Sequence, residues 1–72
     1  MLRLRVREIA ESRGISRGKL SRMSDLSYPT IRDIWADPYR DIPMSTLEKL
    51  AKALKVELSE LIEAVPDEDK DA

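Results

Sequence analysis

The sequence predicts an all-α fold, five short helices in one small domain. Three observations carry this. Apolar residues recur at helix spacing in short blocks, such as Leu47, Leu50, Ala51 and Leu54. Each block is preceded by a serine or stopped by a glycine or proline. Alternation at strand spacing is confined to Leu2, Leu4 and Val6. At 72 residues the chain makes one domain, with a thin stability margin.

The elements follow in order. Leu2, Leu4 and Val6 alternate with arginines, so a short extended segment is expected over about residues 2–5. An edge of this kind wants a strand partner, and a second copy of the chain would supply one. Val6, Ile9, Ala10 and Arg13 then follow helix period, and Gly14 is the stop. Ser16 caps a second helix in which Leu20, Met23 and Ser24 face inward and Ser21 allows close helix contact. Gly18 weakens its first turn. After the turn "DL", Ser27 caps a third helix with Pro29 in its first turn. Ile31, Ile34 and Trp35 form its apolar face. "ADPYRDIP" is a loop. Ser45 and Glu48 match a capping box at the start of the fourth helix. Lys49, Lys52 and Lys55 form its wet face, and the methionines serve as core filler. A fifth helix is expected from Leu58 or Ser59, with Leu61, Ile62 and Val65 apolar. The domain thus spans 1–65, and the acidic stretch 66–72 reads as a disordered tail.

Composition excludes several functions. There is no cysteine and no histidine, so thiolate chemistry, disulfides and the commonest general base and metal ligand are absent. No glycine-rich phosphate loop is present. The sequence therefore reads as a non-enzyme without cofactor or metal. No apolar run is long enough for a bilayer span or a signal segment, and the expectation is a cytoplasmic protein without a membrane partner.

The net charge of -1 hides an asymmetry. Residues 1–40 carry nine basic and five acidic groups, net +4; residues 41–72 carry four basic and nine acidic ones, net -5. Eight of the nine basic residues in the first half are arginine, the better fork for phosphate and guanine. A basic half facing a polyanion fits this distribution, and a solvated surface is the plainer alternative.

The stretch "ISRGKLSRMSDLSYPTIRDIW" joins two short helices by a turn of three or four residues, which is the helix-turn-helix pattern. The pattern needs a small residue where the helices cross, and Ser21 fits. It needs a turn residue that tolerates the left-handed conformation, and Asp25 does so less well than glycine. It needs apolar residues after the turn and late in the second helix; Leu26, Ile31 and Ile34 fit. In that geometry the first helix crosses the DNA backbone and the second lies in the major groove.

With "GISRGKLSRMSDLSYPTIRDIW" followed by "TLEKLAKALKVELSELIE", the chain resembles the Cro/cI-type (XRE) helix-turn-helix family over roughly Val6 to Glu63. The resemblance implies a compact lambda-repressor-like bundle that binds double-stranded DNA, usually as a homodimer on a two-fold operator. It implies phosphate contacts from Ser16, Arg17, Lys19 and Ser27, and from Tyr39 and Arg40 in the following loop. It implies base reading by Tyr28, Pro29, Thr30, Arg32 and Asp33. Arg32 suits guanine, Asp33 the amino group of cytosine, and Pro29 a thymine methyl. An Arg32–Asp33 pair within the helix, or a solvent role, is the competing reading for Arg32, and Arg3, Arg5 and Arg7 read as solvated residues flanking a strand or as phosphate contacts.

Four positions depart from the family pattern. Asp25 replaces the usual turn glycine, and Ser21 replaces the usual alanine. Trp35 and Ala10 stand where a glutamate and an arginine often pair. Trp35 is expected to pack over Ala10 as core, its indole N–H bonded to a group such as a backbone carbonyl.

The function expected is a sequence-specific transcriptional regulator, a repressor that binds a palindromic operator as a homodimer with its third helix in the major groove. The alternative is an antitoxin-like interaction protein that binds a protein partner and autoregulates its operon. Two dimer surfaces are open to it: the Leu2–Val6 ribbon, or the fifth helix through Leu58, Leu61, Ile62 and Val65.

Overall fold

The computed structural model of the chain describes residues 1–66. The expected acidic tail lies, from Asp67 onward, outside the described residues. Strand β1 (Leu2–Leu4) leads into helices α1 (Val6–Ser12), α2 (Arg17–Ser24), α3 (Tyr28–Ala36) and α4 (Met44–Leu54). One 3₁₀ turn (Leu58–Leu61) and strand β2 (Ile62–Ala64) follow. The fold is thus mostly helical, with four α-helices and one small sheet among the described residues.

The fifth helix is the main correction. β1 and β2 pair antiparallel, Leu2 opposite Ala64, Arg3 opposite Glu63 and Leu4 opposite Ile62. The ladder extends at both ends: Arg5 N–H donates to Leu61 O at 2.7 Å, and Val65 N–H to Met1 O at 2.9 Å. A helix confined to residues 58–65 would leave about half of its backbone groups unpaired. Pairing with β1 satisfies them and suits the branched side chains of Ile62 and Val65. The strand partner for Leu2–Leu4 therefore comes from the same chain, not from a second copy. Leu61 is fully buried and does not present a helical dimer face.

The helices start and stop largely where the sequence says. Gly14 takes φ 68° and ends the first turn-out, with Ile15 N–H donating to Ala10 O at 2.9 Å. Ser16 accepts from Lys19 N–H at 3.2 Å, and Ser27 from Thr30 N–H at 3.3 Å. Asp25 adopts the left-handed conformation required of the turn, φ 60° and ψ 34°. The Ser45–Glu48 box does not form: α4 starts two residues earlier, at Met44, with Pro43 at the cap. Pro43 has no N–H to satisfy, and its carbonyl accepts from Thr46 and Leu47. A reciprocal box forms instead between Glu57 and Glu60 at the 3₁₀ turn.

The largest fully buried side chains of the core are Val6, Leu20, Ile31, Ile34, Leu50, Leu54 and Leu61, and Leu4, Ile9, Ala10, Leu47 and Ala51 complete it. Arg13 ties α1 to α4 by donating to the Leu54 carbonyl, one of the orphan acceptors at that helix end. Ser24 is buried and donates to Leu20 O at 2.7 Å. The methionines are not core filler: Met1, Met23 and Met44 are all exposed. Leu20 and Ser24, four residues apart, occupy the inward stripe of α2, and Met23 falls at its margin. Lys49, Lys52 and Lys55 are exposed as expected. No described helix is long and apolar enough to cross a membrane.

Candidate nucleic-acid interface

The two capped helix starts fix the site. Ser16 and Ser27 both sit in extended backbone and release α2 and α3 toward solvent. Arg17 and Tyr28, the first residues of those helices, meet: the guanidinium lies 5.9 Å from the ring centre. Ser16, Arg17, Lys19, Ser27, Tyr28 and Pro29 are all exposed. Neither Arg17 nor Lys19 makes a side-chain hydrogen bond or ion pair among the described residues.

The middle of α3 is more committed. Thr30 is half-buried, and its hydroxyl lies 2.8 Å from that of Ser27, inside the cap. Arg32 is exposed and reaches Asp33 at 3.5 Å, the internal pair the sequence left open. Arg40 approaches the other oxygen of Asp33 at 4.0 Å. One carboxylate thus sits between two guanidiniums, which narrows its freedom to accept from a base.

Tyr39 belongs elsewhere. Its N–H donates to Asp37 at 3.1 Å, and its side chain lines an apolar depression with Met1, Leu2, Leu4, Ile42 and Ile62. Arg40 borders that depression as well, so it spans the two regions.

Trp35 is half-buried against the core cluster that contains Ala10. The expected indole hydrogen bond is not made among the described residues. Among the described residues no buried side-chain nitrogen or oxygen lacks a partner, so the N–H meets solvent. The ring instead borders the surface formed by Arg7, Arg17 and Arg32.

Arg7 is the residue that sequence reasoning left undecided. It shares that concavity with Arg17 and Arg32. Arg7 pairs with Glu11 one turn along α1 at 3.2 Å, and α2 and α3 bring the two further arginines beside it. Arg3 and Arg5 are engaged elsewhere. Arg3 bonds Glu63 at 2.7 Å and Glu8 at 3.3 Å, and Arg5 bonds Glu8 at 2.8 Å. The Arg5 bond, helped by Arg3, holds the Glu8 carboxyl below the usual glutamate range against the opposing effect of desolvation. Glu63, then Glu8, raise the Arg3 guanidinium still further.

The family model for the Cro/C1-type HTH DNA-binding domain matches residues 5–67. A search of curated proteins finds no significant match. The matched span holds all four helices, both serine caps and the left-handed turn at Asp25. The chain belongs to the Cro/C1-type HTH DNA-binding family.

Proposed function

We propose that this DNA-binding domain is a sequence-specific transcriptional regulator, acting as a repressor on a palindromic operator as a homodimer. The observation that carries this is the joined pair of helix starts, with the Arg17 guanidinium over the Tyr28 ring at 5.9 Å and Arg32 exposed beyond them. α3 enters the major groove, where Arg32 reads guanine and Tyr28 and Pro29 contact neighbouring bases. Ser16, Arg17, Lys19 and Ser27 hold the flanking phosphates. Thr30 acts chiefly through the Ser27 cap, and Arg40 reaches phosphate from the loop. The homodimer is supported by exposed Met1, Leu2 and Tyr39 around one apolar depression.

The test is selection from a random duplex pool, followed by sequencing of the bound fraction. A two-fold motif is expected, lost in Arg32→Ala and bound more weakly but unchanged in Arg17→Ala. Absence of any enriched motif, with binding that disappears near physiological salt, would refute sequence-specific regulation.

A further inference from the structure

Three helices each contribute one arginine to a single surface concavity. Arg7 of α1, Arg17 of α2 and Arg32 of α3 line it with Trp35 and Ala36, and its volume is about 320 Å³. No carboxylate lines it. Like charges gathered this way repel unless an anion sits among them.

The donors there are largely unspent. Arg7 gives its Nε–H to Glu11 at 3.2 Å and keeps both terminal nitrogens. The Arg17 side chain makes no hydrogen bond among the described residues and lies 5.9 Å from the Tyr28 ring centre. Arg32 gives one terminal nitrogen to Asp33 at a long 3.5 Å. Trp35 adds an apolar wall and borders this concavity together with two neighbouring ones. Forked donors only partly spent on neighbouring carboxylates suit a tetrahedral oxyanion.

We propose that Arg7 and Arg17, walled by Trp35, hold one DNA backbone phosphate. Arg32 lies on the α3 side of the same concavity, so the clamped phosphate sets where this side chain meets the bases. The assignment rests on the DNA-binding reading and extends it to Arg7 and Trp35, which the helix-turn-helix motif does not mark.

Trp35 is the sole tryptophan of the chain, so its fluorescence reports on this site. The experiment titrates a random-sequence duplex into the full chain at several salt concentrations. The wild type is compared with Arg7→Gln and with Lys52→Gln, an exposed change on α4 beside Met23 and away from the site. The duplex is expected to shift the Trp35 emission. The slope of log affinity against log salt is expected to fall by about 0.9 per bound copy in Arg7→Gln and to stay unchanged in Lys52→Gln. Inorganic phosphate alone, at matched ionic strength, is expected to leave the emission unchanged.

A wild-type slope in Arg7→Gln overturns the assignment while leaving DNA binding intact. Tight saturation of the emission change by inorganic phosphate makes this a free-anion site and overturns the backbone assignment. Failure of the wild type to bind any duplex overturns the DNA-binding reading and this proposal together.

Discussion

Ser21 and Leu26 are tied to each other in both directions across the turn between α2 and α3. The Leu26 N–H donates to the Ser21 carbonyl at 3.2 Å, and the Ser21 hydroxyl donates to the Leu26 carbonyl. The serine that replaces the family's usual alanine therefore adds a bond and leaves no polar group stranded. It sets the crossing of the two helices beside Asp25, whose left-handed backbone reverses the chain. Ser21→Ala is expected to lower stability by about 1 kcal/mol, the worth of one half-buried hydrogen bond. Urea unfolding measures it; a variant as stable as the wild type would show that the hydroxyl bond contributes nothing.

The two glycines make opposite predictions. Gly14 has open space where a Cβ would stand but a φ of 68°, so an alanine there meets only the backbone cost of the left-handed conformation. Gly14→Ala is expected to destabilise by about 1 kcal/mol. Gly18 lies inside α2 with ordinary helical φ, and a Cβ there would meet one arginine nitrogen at 3.9 Å. Gly18→Ala is expected to stabilise by about 0.5–1 kcal/mol. Thermal unfolding of both, side by side, tests the pair. Equal shifts of the same sign would contradict it.

Glu8 gives the fold an acid-sensitive joint. Its carboxyl is held below the ordinary range by Arg5 and Arg3, so at low pH the unfolded chain takes up a proton more readily than the folded one. Stability from this group is complete above the unfolded pKa and is lost as pH falls through the lower folded value. In Glu8→Gln that loss is absent. Denaturation midpoints below about pH 5 should therefore fall less steeply in the variant than in the wild type. Parallel profiles would remove Glu8 from the account of acid unfolding.

Asp33 restrains the two arginines beside it, Arg32 at 3.5 Å and Arg40 at 4.0 Å. Asp33→Asn frees both guanidiniums. Binding to a random duplex is expected to tighten by roughly 2- to 5-fold, in line with about 0.5–1 kcal/mol for exposed pairs. Preference for the selected motif should narrow, because a freed arginine finds phosphate as readily as guanine. Affinities measured on selected and scrambled duplexes decide this; an unchanged ratio would mean that Asp33 does not tune Arg32.

Much of the molecule can be read in the chain. Ser16, Ser27, Gly14 and Asp25 act locally, through their own backbone and that of residues up to four positions away. The apolar face of α4 was legible for the same reason, since helical periodicity is a short-range property. The start of α4 was misread because Pro43 supplies a preset backbone that the Ser45–Glu48 pattern only imitates.

What the sequence by itself determined is the four α-helices, their turns and the exposed polar start of α3. Tertiary structure alone decided two things. It turned the predicted fifth helix into a strand, because Leu2–Leu4 lies some 60 residues away and offers Ile62–Ala64 backbone partners that a local reading cannot weigh. It also brought Arg7 beside Arg17 and Arg32 around Trp35, because three helices must pack before their arginines share one surface. In both cases the deciding interaction joins residues distant in sequence, and only the folded chain sets their separation.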